Sequence, residues 1–376
     1  MQTSHAADPP WRDHKRGLWP LGLMVTALPV IGAPLAQHTG VTLLWFLLPV
    51  YAYGLVPVLD VLLGEDTANP PDDRVPALEA DPYYRIVLLV FVPLQYAVFS
   101  WGAYTFVQGG QGIVAQIGLI LSIGMIGGAG INVAHEIGHQ PGRLNGWLAK
   151  LALAQTGYGH FYVEHNRGHH VRVATPEDPA SARLGESYYG FWQRTVAGGL
   201  QSAWALERRR LASLGKPTWA PANHLLQAWA LTLLLLGTVL VAFGPGALLF
   251  WLAQAFVGFS LLEGVNYVEH YGLMRARDSK GRWERVRPRH SWNSNHVMSN
   301  LMLYHLQRHS DHHAHWTRRY QALRHQPEAP ALPAGYTAML LLALCPPLWR
   351  RVMDPRVLAH YGGDATLANR GQDSPP

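Results

Sequence analysis

Six long apolar stretches constrain the fold of this chain more than any other feature of its sequence. An α-helix needs about 20 mostly apolar residues to cross the hydrocarbon core of a bilayer. Each stretch has close to that length or more, with at most one charged residue; the stretches are 17–36, 41–63, 84–107, 113–134, 226–243 and 247–268. Turns of a few residues join the first to the second, the third to the fourth and the fifth to the sixth, and such short connections join antiparallel neighbours. The sequence therefore predicts an all-α membrane protein with six transmembrane helices in three hairpins.

The distribution of positive charge predicts how these helices are oriented. The chain contains 30 Lys and Arg residues, and none of them falls in the three short turns. Because Lys and Arg accumulate in cytoplasmic loops, both large polar regions and both termini are predicted to be cytoplasmic. The resulting segments are a cytoplasmic N-terminus (1–16), four spans (17–134), a cytoplasmic insert (135–225), two spans (226–268), a cytoplasmic C-terminal cap (269–359) and a tail predicted to be disordered (360–376).

Charge and cysteine content exclude several other classes of protein. A pI of about 9.4 would by itself suggest nucleic-acid binding. The excess positive charge follows the predicted membrane topology instead, so we expect no nucleic-acid partner. The single cysteine, Cys345, excludes internal disulfides, four-cysteine zinc sites and a fused rubredoxin-type iron site.

Nine of the 20 histidines lie in three clusters and at one further position. The clusters are His135-Glu136-Ile137-Gly138-His139, Glu164-His165-Asn166-Arg167-Gly168-His169-His170 and Leu306-Gln307-Arg308-His309-Ser310-Asp311-His312-His313, and the further position is His270 in Asn266-Tyr267-Val268-Glu269-His270. A spacing of three or four residues places imidazoles on one face of a helix, where neutral rings can share a metal ion.

Counting the clusters gives nine candidate ligands. They are His135, His139, His165, His169, His170, His270, His309, His312 and His313. A single metal site uses three or four protein ligands, so nine histidines suit two ions better than one. Imidazole binds iron, copper and zinc alike, and ligand type alone therefore does not select the metal.

Several polar residues adjoin these ligands and are predicted to orient them. Hydrogen bonds from a neighbouring group to the free ring nitrogen commonly fix metal-binding imidazoles. The residues predicted for this role are Glu136, Glu164, Glu269, Asp311, His160 and His315.

Two other functions compete with a two-metal enzyme. His135, Glu136 and His139 form the HExxH pattern of zinc proteases. A zinc protease would need a distant third ligand, and most of the other histidines would have no role. Metal storage or transport would favour polar residues within the spans, where Asp60 and Glu263 are the only acidic ones.

The three clusters and the Asn266-Tyr267-Val268-Glu269-His270-Tyr271-Gly272 element resemble the bacterial membrane alkane 1-monooxygenases, a branch of the integral-membrane fatty-acid desaturase and hydroxylase superfamily. The resemblance extends from the first span to Asp354-Pro355. It implies six transmembrane helices below a cytoplasmic cap in the bacterial inner membrane, with the nine histidines as ligands of a diiron centre.

The same resemblance implies the reaction and its partners. It implies terminal hydroxylation of medium- to long-chain alkanes, drawn from the bilayer, to 1-alkanols. The oxidant is O2, and the electrons come from rubredoxin, itself reduced by an NADH-dependent rubredoxin reductase. Xylene-type side-chain monooxygenases and fatty-acyl hydroxylases or desaturases share the histidine pattern and remain alternatives for the substrate.

Span 2 contains a candidate determinant of chain length. In the resembling family a bulky side chain just before the Tyr-Gly pair of this helix can block the substrate channel. Here Ala52 precedes Tyr53-Gly54. We therefore predict that Ala52 and Tyr53 line the channel and that chains longer than octane are accepted.

Overall fold

The structure, a computed structural model, describes residues 11–371. Residues 1–10, most of the predicted N-terminal segment, and residues 372–376 of the predicted tail lie outside the described range. Residues 11–371 contain helices, turns and three isolated β-bridges, and no β-strand. The predicted all-α class is therefore confirmed.

Six helices are long and apolar enough to cross a membrane. These helices, called spans 1 to 6, are Arg16–Thr39, Thr42–Leu63, Pro82–Gln108, Ile113–Gly138, His224–Phe243 and Gly246–His270. Their number and order match the sequence prediction, whereas the hairpin pairing in a membrane and the orientation stay predictions.

Two spans continue past the ends predicted from apolarity. Span 4 ends at Gly138 and span 6 at His270, whereas the predicted spans end at Ala134 and Val268. His135 and His270 thus lie in the final helical turns of spans and not in the polar regions that follow. Hydropathy alone misses these turns because their polar side chains face a buried site, where His270 and Glu269 are at most 1% exposed.

Close packing of spans 4 and 6 positions the site. A Cβ atom added to Gly258 would lie 3.0 Å from the carbonyl oxygen of Gly124, and one added to Gly124 would lie 2.5 Å from Cβ of Val257. Small residues allow membrane helices to approach this closely. At the same level Gln155 donates to Gln254 across a 3.0 Å hydrogen bond. The ends of the two spans that carry His135 and His270 are therefore held together.

Further helices lie outside the six spans, and their assignment to a cytoplasmic cap stays a prediction. The longer ones are Arg143–Ala154, Tyr188–Ser213 and Pro346–His360; the shorter ones are Phe161–Glu164, His165–His169, His170–Arg172, Val297–Met302, His309–Ala314 and Tyr336–Ala343. Arg308, which is 1% exposed, donates to the carbonyl oxygens of Leu323, Asp66 and Ala68. This side chain ties the third histidine cluster to the segment between spans 2 and 3.

The predicted disorder of residues 360–376 is wrong for the part that the structure describes. Ala368 and Asn369 are 2% and 1% exposed. The backbone of Asn369 accepts from Leu184 and donates to Gly272. Burial of these two residues fixes a segment whose composition alone suggested a free end.

Candidate metal centre

The nine predicted ligands converge into two groups. The five-histidine group contains His135, His139, His165, His170 and His312, and the four-histidine group contains His169, His270, His309 and His313. Within each group, the ligand atoms all lie within 4.8 Å of one another. Four segments far apart in sequence contribute these rings, so each group forms only in the folded chain.

A π-helical turn divides the second cluster between the groups. His165–His169 forms this turn, and the backbone N–H of His170 donates to His165. Because a π-turn has more residues per turn than an α-helix, the residue five positions along, His170, lies above His165. Their Nε2 atoms are 3.0 Å apart. His169, which α-helical spacing would have paired with His165, is directed to the other group.

The Nε2 atoms within each group are spaced like ligands of one ion. The Nε2–Nε2 distances are 2.9 Å for His135 and His312 and 3.0 Å for His139 and His165. In the other group His309 lies 3.1 Å from His270 and 2.9 Å from His313. Imidazole nitrogen binds zinc-like ions at about 2.0–2.1 Å, so two ligands at right angles lie about 3 Å apart. The donor sets therefore fit metal ions.

Hydrogen bonding among the rings is a poorer explanation of these distances. Nε2 of His165 lies 3.0 Å from Nε2 of both His139 and His170. A neutral imidazole has one N–H donor, which serves only one such contact. Burial, reinforced by neighbouring imidazoles, holds the pKa of His139 and His165 well below the usual histidine range. These two rings are thus neutral, as metal binding requires.

One orienting residue was missed by the sequence analysis. Asp178 is 1% exposed, and its Oδ2 accepts from Nδ1 of His169 at 2.9 Å. Nε2 of His169 has no hydrogen-bond partner in the described part of the chain and belongs to the four-histidine group. Burial alone would raise the pKa of Asp178, but His169 and Ser181 lower it to about 2. Asp178 lies in a Pro-rich turn whose sequence gave no sign of this contact.

Of the six residues predicted to orient ligands, Glu269 contacts one. Its Oε2 lies 3.1 Å from Nε2 of His309, on the side where the other ligand nitrogens meet. The Tyr336 hydroxyl donates to the other carboxylate oxygen at 3.0 Å. Glu269 therefore contacts Nε2 of His309 and not its Nδ1, and it is outside the four-histidine group.

The prediction is wrong for the other three carboxylates. Glu136 accepts from the backbone of Tyr320, and Glu164 accepts from Arg172 at 2.6 Å. Asp311 accepts from Arg318 at 2.6 and 2.8 Å. Each of these carboxylates is thus engaged by a residue that is not a candidate ligand. These residues hold the framework around the site.

The two predicted orienting histidines also lie outside the ligand contacts. His160 packs edge-on against Tyr158, with ring centroids 4.2 Å apart. His315 is directed to Asp311, with Nδ1 at 3.2 Å from Oδ1. The prediction rested on sequence proximity, which here does not bring either ring to the metal groups.

An apolar cavity leads to the histidines from within the spans. This inner cavity has a volume of about 130 Å³, and Ala52 and Tyr53 are among its lining residues. His135, His165 and His309 line it together with Asn132 and Glu269. A second cavity of about 510 Å³ shares Tyr53, Met125, Leu261 and Leu340 with the first. The arrangement joins both metal groups to an apolar compartment.

The HExxH sequence has no protease geometry. Both of its histidines belong to the five-histidine group. The carboxylate of Glu136 accepts the backbone N–H of Tyr320 at 3.1 Å and is 7% exposed. A zinc protease needs this glutamate beside the metal-bound water as a general base. The structure therefore disfavours the protease alternative.

Comparison with known proteins gives consistent relatives. Residues 111–343 match the family model described as fatty acid desaturase. The chain is 46% identical over 352 residues to alkane 1-monooxygenase 1 of Alcanivorax borkumensis, covering 94% of this chain and 87% of the relative. It is 45% identical to alkane 1-monooxygenase of Acinetobacter baylyi, covering 95% and 88%. The xylene/toluene monooxygenase hydroxylase component of Pseudomonas putida is 28% identical, covering 81% and 80%.

Proposed function

This chain belongs to the fatty acid desaturase superfamily and, within it, to the alkane 1-monooxygenases; on that premise we propose that it hydroxylates the terminal methyl group of medium- to long-chain alkanes at a diiron centre. Alkane hydroxylation follows from the family. The observation that carries the finer proposal is the convergence of the nine histidines into two groups at the end of an apolar cavity.

The proposed metals are two iron ions, one in each histidine group. Zinc has no redox chemistry, whereas inserting an oxygen atom from O2 into an unactivated C–H bond requires a redox-active metal. Imidazole suits iron, and the Nε2 spacing of about 3 Å fits one ion in each group. The bound irons would supply O2 activation.

The residues of the chain supply orientation and exclusion of water. An alkane offers no group for a hydrogen bond, so only the shape of an apolar slot can direct its methyl end. Asn132, Asn266 and Glu269 are the polar residues lining the inner cavity besides its histidines and hydroxyl-bearing side chains. Aliphatic side chains along the rest of the cavity exclude water from the methyl group, which protects the oxidant from side reactions.

The reaction needs electrons from outside the chain. Alkane, O2, two electrons and two protons give a 1-alkanol and water. We propose rubredoxin as the electron carrier, kept reduced by an NADH-dependent rubredoxin reductase. Positive charge on the predicted cytoplasmic face would attract an acidic carrier in a salt-dependent way.

We also propose a location in the bacterial inner membrane with both termini cytoplasmic. The six spanning helices support a multi-pass membrane protein. The absence of Lys and Arg from the short turns supports the orientation, because the cytoplasmic side retains positive charge. Alkane would then enter laterally from the bilayer through the two joined cavities.

A metal and product assay tests the proposal. The purified chain is assayed for iron and zinc, and then for products from octane, hexadecane and p-xylene with O2 and a rubredoxin system. We expect iron in both groups and 1-alkanols as the main products. Preferred oxidation of p-xylene would favour the xylene-type alternative, and one zinc with no oxygenated product would contradict the proposal.

A further inference from the structure

One exposed aromatic ring contacts a ligand of the five-histidine group. Trp316 is 51% exposed, and its ring lies 5.9 Å from that of His139, at an interplanar angle of 62°. The other aromatic contact with a candidate ligand among residues 11–371 is that of Phe161 with His165, and Phe161 is buried. Trp316 is therefore the point where an aromatic surface residue meets the centre directly.

The position of Trp316 is fixed from two sides. It follows the ligand helix His309–Ala314, where buried Asp311 binds both Arg318 and His315. On the other side, Gln140, the residue after His139, donates to the carbonyl oxygen of Thr317 at 3.4 Å. An isolated exposed tryptophan is ordinary on a protein surface, but one held between two ligand-bearing segments has a defined path to the site.

Arginines without ion-pair partners lie near Gln140, which contacts the residue after Trp316. Arg85, Arg319 and Gln140 line one cleft, and Arg143 follows Gln140 by three residues. In the described part of the chain, Arg85, Arg143 and Arg319 form no salt bridge. We call Trp316 with these three arginines the Trp316 face. Tryptophan and arginine are the residue types that contribute most to binding at protein interfaces.

Another basic region, residues 275–290, is less suited to an acidic partner. In residues 275–290 Arg277, Arg282 and Arg289 pair with Glu177, Asp278 and Glu284 respectively. Much of its charge is therefore neutralised within the chain. No aromatic ring of this region contacts a candidate metal ligand.

We propose that an acidic one-electron carrier protein docks on the Trp316 face and that its electrons enter the centre through Trp316 and His139. The inference rests on the proposed function, because it supplies the electrons of that reaction. Two carrier molecules are each oxidised by one electron per turnover, one oxygen atom of O2 is reduced to water with two solvent protons, and the other enters the alkane. The arginines attract and orient the carrier, and the indole brings it into contact with a ligand ring.

The first test measures docking without turnover. Hydroxyl-radical labelling of the full chain in nanodiscs is compared with and without oxidised rubredoxin. We expect the carrier to protect Trp316 while leaving Trp219, which is 71% exposed, equally labelled. Charge reversal in Arg143→Glu should weaken rubredoxin binding by about tenfold, the equivalent of about 1.4 kcal/mol, whereas Arg282→Glu should not. Equal labelling of Trp316 with and without carrier would overturn the proposal.

The second test separates electron entry from structure. Alkane hydroxylation is measured with rubredoxin and, separately, with dithionite and a small mediator that needs no docking surface. Trp316→Phe should slow the rubredoxin-driven reaction and leave the dithionite-driven rate and iron content unchanged, and Trp219→Phe should change neither. Equal rates for Trp316→Phe and wild type with rubredoxin, or an equal fall in both modes, would overturn the inference. Failure of the wild type in both modes would overturn the proposed function, while the labelling result still decides docking.

Discussion

Asp178 shows how a single residue outside the ligand set can control the centre. Its carboxylate holds Nδ1 of His169 at 2.9 Å, and Ser181 donates to the same oxygen at 2.6 Å. Holding Nδ1–H fixes the tautomer that leaves Nε2 free for metal. Asp178 therefore supports the four-histidine group by orienting His169, although it is not one of the candidate ligands.

We predict that replacing Asp178 lowers the metal affinity of the centre. Asp178→Asn should lower iron affinity about 10–100-fold, because the amide orients His169 less well and no longer raises its basicity. Iron titration of the metal-free chain measures the effect, with Asp278→Asn, on an exposed turn, as the matched control. Unchanged iron affinity in Asp178→Asn would show that His169 is oriented by other contacts.

Ala52 gives a second prediction at the residue scale. It lines the inner cavity together with Tyr51 and Tyr53, on the π-helical turn Tyr51–Leu55 of span 2. A tryptophan there would fill part of the 130 Å³ cavity, so Ala52→Trp should reduce hexadecane hydroxylation more than octane hydroxylation.

Chain-length profiles from gas chromatography of products measure this change. The matched control is Val61→Trp on the same span, since Val61 is 79% exposed and lies outside both cavities. If Ala52→Trp leaves the ratio of the two products unchanged, Ala52 does not limit the channel.

At the scale of elements, the contact between spans 4 and 6 holds both groups in register. A Cβ at Gly258 would lie 2.8 Å from Cγ2 of Thr156 and 3.0 Å from the backbone oxygen of Gly124. The backbone cannot move aside without separating the helices that carry His135 and His270. Overpacking of this kind costs about 1–3 kcal/mol.

Gly258→Val should therefore lower both thermal stability and iron content. Gly237→Val is the matched control, because a Cβ at Gly237 in span 5 meets no atom within 4 Å. Thermal unfolding in detergent and metal analysis measure the two effects. Equal unfolding temperatures for the two variants would show that the spans tolerate a wider separation.

The π-turn marks the limit of prediction from spacing. The nine ligands could be identified because imidazoles at helical intervals on membrane-side segments are rare outside metal sites. Their division into groups could not, since it depends on one extra residue in the turn His165–His169, which the sequence does not signal. The same limit applied to Glu136, Glu164 and Asp311, whose partners are Tyr320, Arg172 and Arg318 and not the adjacent ligands.

At the scale of the whole molecule, the centre is completed by the C-terminal part of the chain. The backbone of Trp292 donates to Glu269, and Arg308 ties the last cluster to residues Asp66 and Ala68. Spans were predictable because hydropathy is a local property. Asp178 and the ordered Ala368 and Asn369 were not, because their burial depends on contacts between distant segments.

Truncation tests this division between spans and cap. A chain ending at His305 retains all six spans but lacks His309, His312 and His313. It should insert into membranes and bind no stoichiometric iron, since both groups lose ligands. Membrane fractionation with metal analysis measures both properties, and retention of full iron content would contradict the assignment of the third cluster.

Iron content and coordination of the purified chain test the central claim most directly. Metal analysis with X-ray absorption is compared among wild type, His312→Ala in the five-histidine group and His313→Ala in the four-histidine group. The account predicts about two irons per wild-type chain in a nitrogen-rich environment. Each variant should lose iron and alkane hydroxylation while remaining membrane-inserted. A single zinc in the wild type, or full iron content and turnover in either variant, would contradict it.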